Sequence, residues 1–134
     1  MANTFYPKGA QKVISAQINF SADSIKAVLV PAGYTYSAAH EFLSDLGSVV
    51  GTAQTLASKT VDGGVFDAAD PDFGAIAPGS TVKGVVLYKD TGVAGTSPLL
   101  VYFDDVTGFP FSTNGGTVSV PWSSGALKIF SMVA

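Results

Sequence analysis

The chain has 134 residues, which is enough for one domain with its own core and leaves little room for a second. It contains no cysteine, so disulfide bonds and thiolate zinc sites are excluded. All seven cations are lysines and the net charge is −3. This balance argues against nucleic-acid binding, because phosphate and base recognition depends heavily on arginine.

The first predicted elements are an arm and a hairpin. Residues 1–12 contain a Pro-Lys-Gly turn signal and are predicted to form an N-terminal arm ahead of one β domain, residues 13–134. Apolar and polar residues alternate over 14–20, which is the period of a half-buried strand. Residues 25–30 predict a second strand, ended by Pro31. Because only a short turn-rich stretch separates the two strands, we expect them to pair as a hairpin.

The next segment supplies the one predicted helix. Over residues 38–47, Ala39, Phe42, Leu43 and Leu46 lie at helical spacing, preceded by a serine suited to an N-cap and followed by a glycine suited to a C-cap. The segment allows barely three turns, so its stability would depend on packing against the rest of the domain.

The rest of the chain is predicted to be β. Further strands are indicated at residues 52–60, 65–67, 82–88, 99–103, 118–122 and 127–132. The segments 82–88 and 99–103 are the most apolar and are expected in the centre of a sheet. Val118, Val120 and Trp122 share one strand face, so a buried indole is expected. About eight strands at near-regular spacing predict an all-β fold, an antiparallel sandwich or jelly-roll-like barrel with one short helix.

The composition also bears on the surface of this domain. Charged residues make up only 13% of the chain, about half of the usual share. Sparse charge with many Ala, Ser, Thr and Gly indicates a surface that neighbouring proteins partly cover, although an ordinary β domain with a hydroxyl-rich exterior has the same composition. No apolar run approaches the ~20 residues that span a membrane, and no signal peptide is evident, so no membrane contact is expected.

Catalytic chemistry finds little support in the sequence. The only histidine, His40, lies beside Glu41 on the predicted helix, where a surface or capping role is the ordinary one. There is no nucleophile-elbow, phosphate-loop or dinucleotide motif. We therefore predict no enzyme activity, no catalytic residue and no cofactor, and we expect His40 to be dispensable.

Two acidic groups are candidates for a metal or catalytic site. Asp62, Asp67, Asp70 and Asp72 fall in one segment, but they lack the spacing of a calcium loop and are interpreted as solvated turns. The carboxylates of the adjacent pair at 104–105 are expected on opposite strand faces, so they are not a catalytic dyad. No metal ligand is predicted.

Several stretches resemble a family of small structural proteins of tailed bacteriophages. In chain order they are Phe5-Tyr6-Pro7-Lys8-Gly9, Ile18-Asn19-Phe20, Ser24-Ile25-Lys26-Ala27-Val28-Leu29-Val30, His40-Glu41-Phe42-Leu43-Ser44-Asp45, Leu87-Tyr88-Lys89-Asp90-Thr91-Gly92, Pro110, Asn114-Gly115-Gly116 and Trp122-Ser123-Ser124-Gly125-Ala126-Leu127-Lys128-Ile129-Phe130. Together they cover most of the chain in order.

The resemblance implies a virion protein assembled in the host cytoplasm, with no catalytic residues to transfer. A capsid decoration or cement protein is expected, binding the major capsid protein and copies of itself as a homo-oligomer on the particle. A tail or fibre component is the alternative within the same class. Outside that class the alternatives are a small hydrolase and a carbohydrate-binding β module, for which an exposed aromatic row would be the sign.

The arm carries the predicted contact residues Phe5, Tyr6 and Pro7. An arm with aromatic side chains and no periodicity must bury its rings on its own domain or on a partner. We predict a contact between subunits, since desolvated aromatic residues supply much of the energy of an interface. Pairing of the arm with an edge of its own sheet is the alternative.

Overall fold

The computed structural model describes residues 4–103, 109–120 and 130–131. Within these ranges the strands are β1 (Thr4–Phe5), β2 (Ile25–Pro31), β3 (Val50–Thr55), β4 (Val65–Phe66), β5 (Asp72–Ala75), β6 (Thr81–Lys89), β7 (Leu99–Phe103), β8 (Phe111–Ser112), β9 (Thr117–Ser119) and β10 (Phe130–Ser131). One α-helix, α1 (Pro7–Ile14), accompanies three short 3-10 turns at Leu43–Leu46, Asp62–Gly64 and Ala94–Thr96. The strand pairs are antiparallel, which confirms the predicted all-β class with one short helix.

The helix lies elsewhere than predicted. It begins at Pro7, whose fixed φ suits the first helical turn, and Gly9 allows it to lie directly on β7. A Cβ atom at Gly9 would lie only 2.1 Å from the carbonyl oxygen of Leu99. The predicted strand over 14–20 is wrong, since Ile14 ends α1 and Ala16 has a positive φ of 64°. The predicted hairpin with residues 25–30 is therefore wrong as well.

The helix predicted over 38–47 is also wrong. Only Leu43–Leu46 is helical, as a single 3-10 turn. The backbone on either side of Phe42 is hydrogen-bonded to residues 97–99. The amide of Leu43 donates to the carbonyl of Ser97, and the amide of Leu99 donates to the carbonyl of Glu41. Pairing with a distant strand thus overrides the helical spacing of the side chains.

The main sheet has the strand order β1-β7-β6-β2-β3, and β8 pairs with the N-terminal end of β6. The apolar strands β6 and β7 lie inside this sheet, as predicted for 82–88 and 99–103. The predicted strand over 52–60 is shorter and begins earlier, as Val50–Thr55. The turn at Asp62–Gly64 reverses the chain as expected, since Thr60 and Asp67 form a bridge across it.

Both faces of the main sheet are covered. On one face, β2 residues Ile25, Ala27 and Leu29 belong to a core that includes Phe66 and Phe73, from two small ribbons (β4 with β10, and β5 with β9). On the other face lies a second core, which combines residues of β2, β6 and β7 with tyrosines from α1's N-cap and from the loop 32–49. Coverage on two faces explains why these strands are continuously apolar.

The predicted boundary between arm and domain at residue 12 falls inside α1. β1 pairs with β7, with Phe5 opposite Val101, so the described part of the arm is built into the sheet. At the other end of the chain, Val118 and Val120 are buried and the last predicted strand is present as Phe130–Ser131. Trp122 and the carboxylate pair at 104–105 lie outside the described residues.

Candidate interaction surface

The three predicted contact residues occupy different environments. Tyr6 is fully buried in the second core, and its amide donates to the carbonyl of Leu100 at 2.9 Å. Phe5 is half-buried against the first core, and Pro7 is exposed on the first turn of α1. The predicted contact between subunits therefore does not extend to Tyr6, because its own domain encloses the ring. The described arm residues lie on their own domain.

Tyr6 leads into a hydrogen-bonded network that ends at the single histidine. The hydroxyl oxygens of Tyr6 and Tyr34 lie 2.6 Å apart, and the Tyr34 hydroxyl lies 2.9 Å from Nδ1 of His40. The Tyr36 hydroxyl donates to the carbonyl of Phe5 at 3.1 Å. These bonds fasten the loop 32–49 to the N-terminal segment.

Tyr6 and Tyr34 are held in their neutral form. Burial, followed by the hydrogen bond with Tyr34, raises the pKa of Tyr6 well above its usual range. Burial likewise raises the pKa of Tyr34. A neutral tyrosine is a poor nucleophile, so the bond between Tyr34 and His40 is suited to holding the loop rather than to activating an attacking group.

Three of the described lysines form ion pairs within the domain. Ion pairs join Lys12 to Glu41 at 2.8 Å, Lys26 to Asp90 at 3.1 Å and Lys89 to Asp23 at 3.2 Å. The last two pairs lie where β6 ends, beside the start of β2. Backbone amides and these lysines lower the pKa values of both aspartates, the amide of Asn19 acting first on Asp23 and that of Gly92 on Asp90.

The acidic segment 62–72 was the candidate for a calcium site. In the described part of the chain, no three carboxylate or histidine side chains are grouped as metal ligands would be. Asp72 instead accepts a hydrogen bond from the amide of Gly74 at 2.8 Å, which shapes the start of β5.

Among the stretches of the sequence that contain no charged residue are 46–58, 73–82 and 106–127. The fold brings their described parts together. β5 pairs with β9, the amide of Ile76 donates to the carbonyl of Gly116, and the amide of Thr113 donates to the carbonyl of Ser80. Gly51 of β3 lies against Ile76, since a Cβ atom there would lie 3.2 Å from the Ile76 side chain.

We call the exposed residues of 48–52, 75–81 and 112–119 the neutral face. Two shallow depressions mark it, one of about 370 Å³ between β3 and β5 and one of about 250 Å³ beside β8 and β9. The first is lined by uncharged residues, among them Val49, Ala77 and Pro78. Val49 is 42% exposed, less than the apolar side chains of Ile14, Val61 and Val93 elsewhere on the described surface. The described residues of the neutral face are uncharged, and the exposed Asp72, which pairs with Ser119, lies at its border. A surface of low charge is suited to contact with another protein.

Sequence reasoning did not identify the neutral face. The signal was present, since each uncharged stretch is bounded by charged residues on both sides: Asp45 and Lys59, Asp72 and Lys83, Asp105 and Lys128. What was missing was the topology that places three distant stretches side by side.

The described aromatic side chains do not form an exposed row. Phe109 and Phe111 are half-buried, with ring centroids 4.9 Å apart, and they pack against the first core. None of the aromatic side chains in the ranges 4–103 and 109–120 is exposed. A sugar-binding platform therefore has no basis in this part of the chain.

No protein-family model, no curated protein and no solved structure matches the chain. Among the described residues, no helix has the length and apolar character needed to cross a membrane.

Proposed function

We propose that this chain is a structural protein of a tailed-phage virion, acting as a capsid decoration protein that binds the major capsid protein and copies of itself. The observation that carries the proposal is the neutral face, an exposed surface assembled from three uncharged stretches of an already charge-poor chain. Surfaces depleted of charge are typical of the centres of protein–protein interfaces.

The sequence resemblance to small tailed-phage structural proteins supports a virion protein as the partner of this surface. A symmetric shell repeats each contact many times, so interfaces of modest area become collectively strong. A small domain whose main sheet is covered on both faces suits that role, because little conformational entropy is lost when an ordered domain binds.

The proposal includes the absence of enzyme activity and of a cofactor. The one histidine is bonded to a tyrosine that burial keeps neutral, and this supports a structural role for it. The net charge of −3 and the lack of arginine support a protein partner over nucleic acid.

The test is a mass-spectrometric inventory of purified virions of the phage whose genome encodes this chain. A decoration protein is expected at a copy number comparable to that of the major capsid protein. A few copies per particle would instead indicate the tail or fibre alternative. Absence from the particles would contradict the proposal.

A further inference from the structure

We infer that His40 is an acid-sensitive latch, which fastens the loop 32–49 to the N-terminal segment when the imidazole is neutral and releases it when the imidazole is protonated. The latch consists of Tyr6, Tyr34 and His40, whose polar atoms lie 2.6 Å and then 2.9 Å apart. The inference goes beyond the proposed function. It is tested on the isolated chain, so it holds or fails whatever the place of the protein on a virion.

The buried end of the latch fixes the direction of its hydrogen bonds. Tyr6 is fully buried, and within the described chain Tyr34 is the one hydrogen-bond partner of its hydroxyl. The hydrogen of the Tyr6 hydroxyl therefore has an acceptor only if it is donated to the oxygen of Tyr34. Tyr34 must then donate its own hydrogen to Nδ1 of His40, because each hydroxyl carries a single hydrogen.

This direction assigns the tautomer of His40. A ring nitrogen that accepts a hydrogen bond carries no proton, so the neutral imidazole holds its proton on Nε2. With the opposite tautomer, Nδ1 would donate to Tyr34, and Tyr34 would donate to Tyr6. The hydrogen of the Tyr6 hydroxyl would then be buried without an acceptor, and a buried donor in that state costs more than a hydrogen bond contributes.

Acid removes the acceptor at the surface end of the latch. The half-buried ring of His40 takes up its second proton on Nδ1, the nitrogen that faces Tyr34. An imidazolium only donates hydrogen bonds, so Tyr34 must turn its hydrogen toward Tyr6 or lose its bond to His40. Either response leaves a buried hydroxyl hydrogen without an acceptor. The closed latch excludes this proton whereas the unfolded chain binds it freely, so the latch loses stability as the pH falls through the range in which histidine titrates.

The charged groups around His40 do not compensate for this loss. Asp45 interacts with His40 through its electric field and attracts the protonated ring, but Asp45 is exposed to solvent, which screens the attraction. Glu41, the next residue in the chain, is already paired with Lys12 at 2.8 Å. The two phenols of the latch, which also face the ring, are kept neutral by burial.

Opening of the latch is expected to be local. The side chain of Lys83 donates to the carbonyl of Tyr34 at 2.8 Å, and this bond holds the loop 32–49 without involving His40. Acid should therefore loosen the loop rather than unfold the domain. Residues 48–49 belong both to this loop and to the neutral face, so the release extends to the edge of that face.

NMR of the imidazole nitrogens tests the tautomer on the unaltered chain. His40 is the single histidine of the sequence, so its ring signals need no assignment. At about pH 7.5 the expected result is a proton on Nε2 and none on Nδ1. A proton on Nδ1 at that pH would overturn the inference.

Hydrogen exchange of the loop 32–49, measured by mass spectrometry at about pH 7.5 and about pH 5.5, tests the release. His40→Asn is the matched control, because the side-chain oxygen of asparagine can accept the Tyr34 hydrogen in place of Nδ1 and does not titrate. Comparing the two chains at one pH removes the effect of acid on intrinsic exchange. The ratio of loop exchange in the parent to that in the variant should rise by at least about fivefold from the higher to the lower pH. A ratio that stays the same would overturn the inference.

Discussion

At the scale of single residues, the second core depends on buried polar groups as well as on apolar packing. Tyr6, Tyr34 and His40 form one hydrogen-bonded chain from the interior to the half-buried surface. Deleting the Tyr6 hydroxyl removes one of the two partners of the Tyr34 hydroxyl, and a buried polar group that loses a partner costs more than the bond itself contributes. The network therefore makes the loop 32–49 sensitive to small changes in the N-terminal segment.

Tyr6→Phe tests this network. The substitution keeps the ring and deletes only the hydroxyl, so we expect a loss of about 1–3 kcal/mol in the free energy of unfolding. Urea unfolding followed by tyrosine and tryptophan fluorescence measures it. Ile14→Ala, at an 82% exposed position, is the control and should stay within about 0.5 kcal/mol of the parent. Equal stability of Tyr6→Phe and the parent would show that the hydroxyl bond contributes nothing.

Gly9 offers a test in which two effects have opposite signs. Gly→Ala in a helix interior ordinarily stabilises by up to about 1 kcal/mol. Here the new Cβ meets the Leu99 carbonyl, so we expect Gly9→Ala to destabilise by about 1–3 kcal/mol. Gly95→Ala, where the methyl group meets open space, is the matched control and should be nearly neutral. Stabilisation by Gly9→Ala would mean that α1 does not lie on β7.

The carboxylate of Asp45 makes the stability of the folded chain depend on pH in the acidic range. The amides of Phe42 and Glu41 donate to its carboxylate and lower its pKa in the folded chain. A group whose folded pKa is depressed contributes stability above its unfolded pKa, near about 4, and loses it as the pH falls through the folded value. Asp45→Asn should therefore flatten the loss of thermal stability below about pH 4. An identical acid profile for Asp45→Asn and the parent would contradict this.

At the scale of elements, strands that are buried on both faces could be predicted from the sequence. Segments whose conformation is fixed by contacts with distant residues could not. Residues 25–30, 82–88 and 99–103 are apolar because both of their faces are buried, so their strands were identifiable. The alternation over 14–20 and the helical spacing over 38–47 were misleading. In each case the backbone is fixed by contacts with β7 or with residues 97–99, which a local pattern does not contain.

The N-terminal segment gives the element-scale prediction. A free arm would be removable, and deletion of residues 1–10 would leave a folded domain. The structure instead places β1, Tyr6 and the first half of α1 in that deletion, so the product should be largely unfolded or melt far below the parent. Far-UV circular dichroism with temperature measures this. A truncated chain with the parent's melting temperature would show that residues 1–10 are not needed for folding. It would favour the interpretation of these residues as an arm that contacts other subunits.

At the scale of the whole molecule, the described ion pairs lie apart from the neutral face. They gather at the ends of β2 and β6 and beside α1, while the neutral face lies at the opposite end of β6, bordered by the exposed Asp72. The three stretches that form this surface are separated by up to about one-third of the chain, so composition alone indicates sparse charge but not where it is sparsest. The fold brings uncharged stretches that are distant in the sequence together on one face.

The most direct test of the assembly role is occupancy on particles. Virions are grown with one source of the protein: the parent chain, Ala77→Glu on the neutral face, or the control Val93→Glu at a 60% exposed position in the loop after β6. The copy number of each chain relative to the major capsid protein is measured by mass spectrometry. We predict equal, high occupancy for the parent and Val93→Glu and strongly reduced occupancy for Ala77→Glu, with all three chains folded. Particles that lack the parent chain, or that hold all three chains equally, would contradict the account.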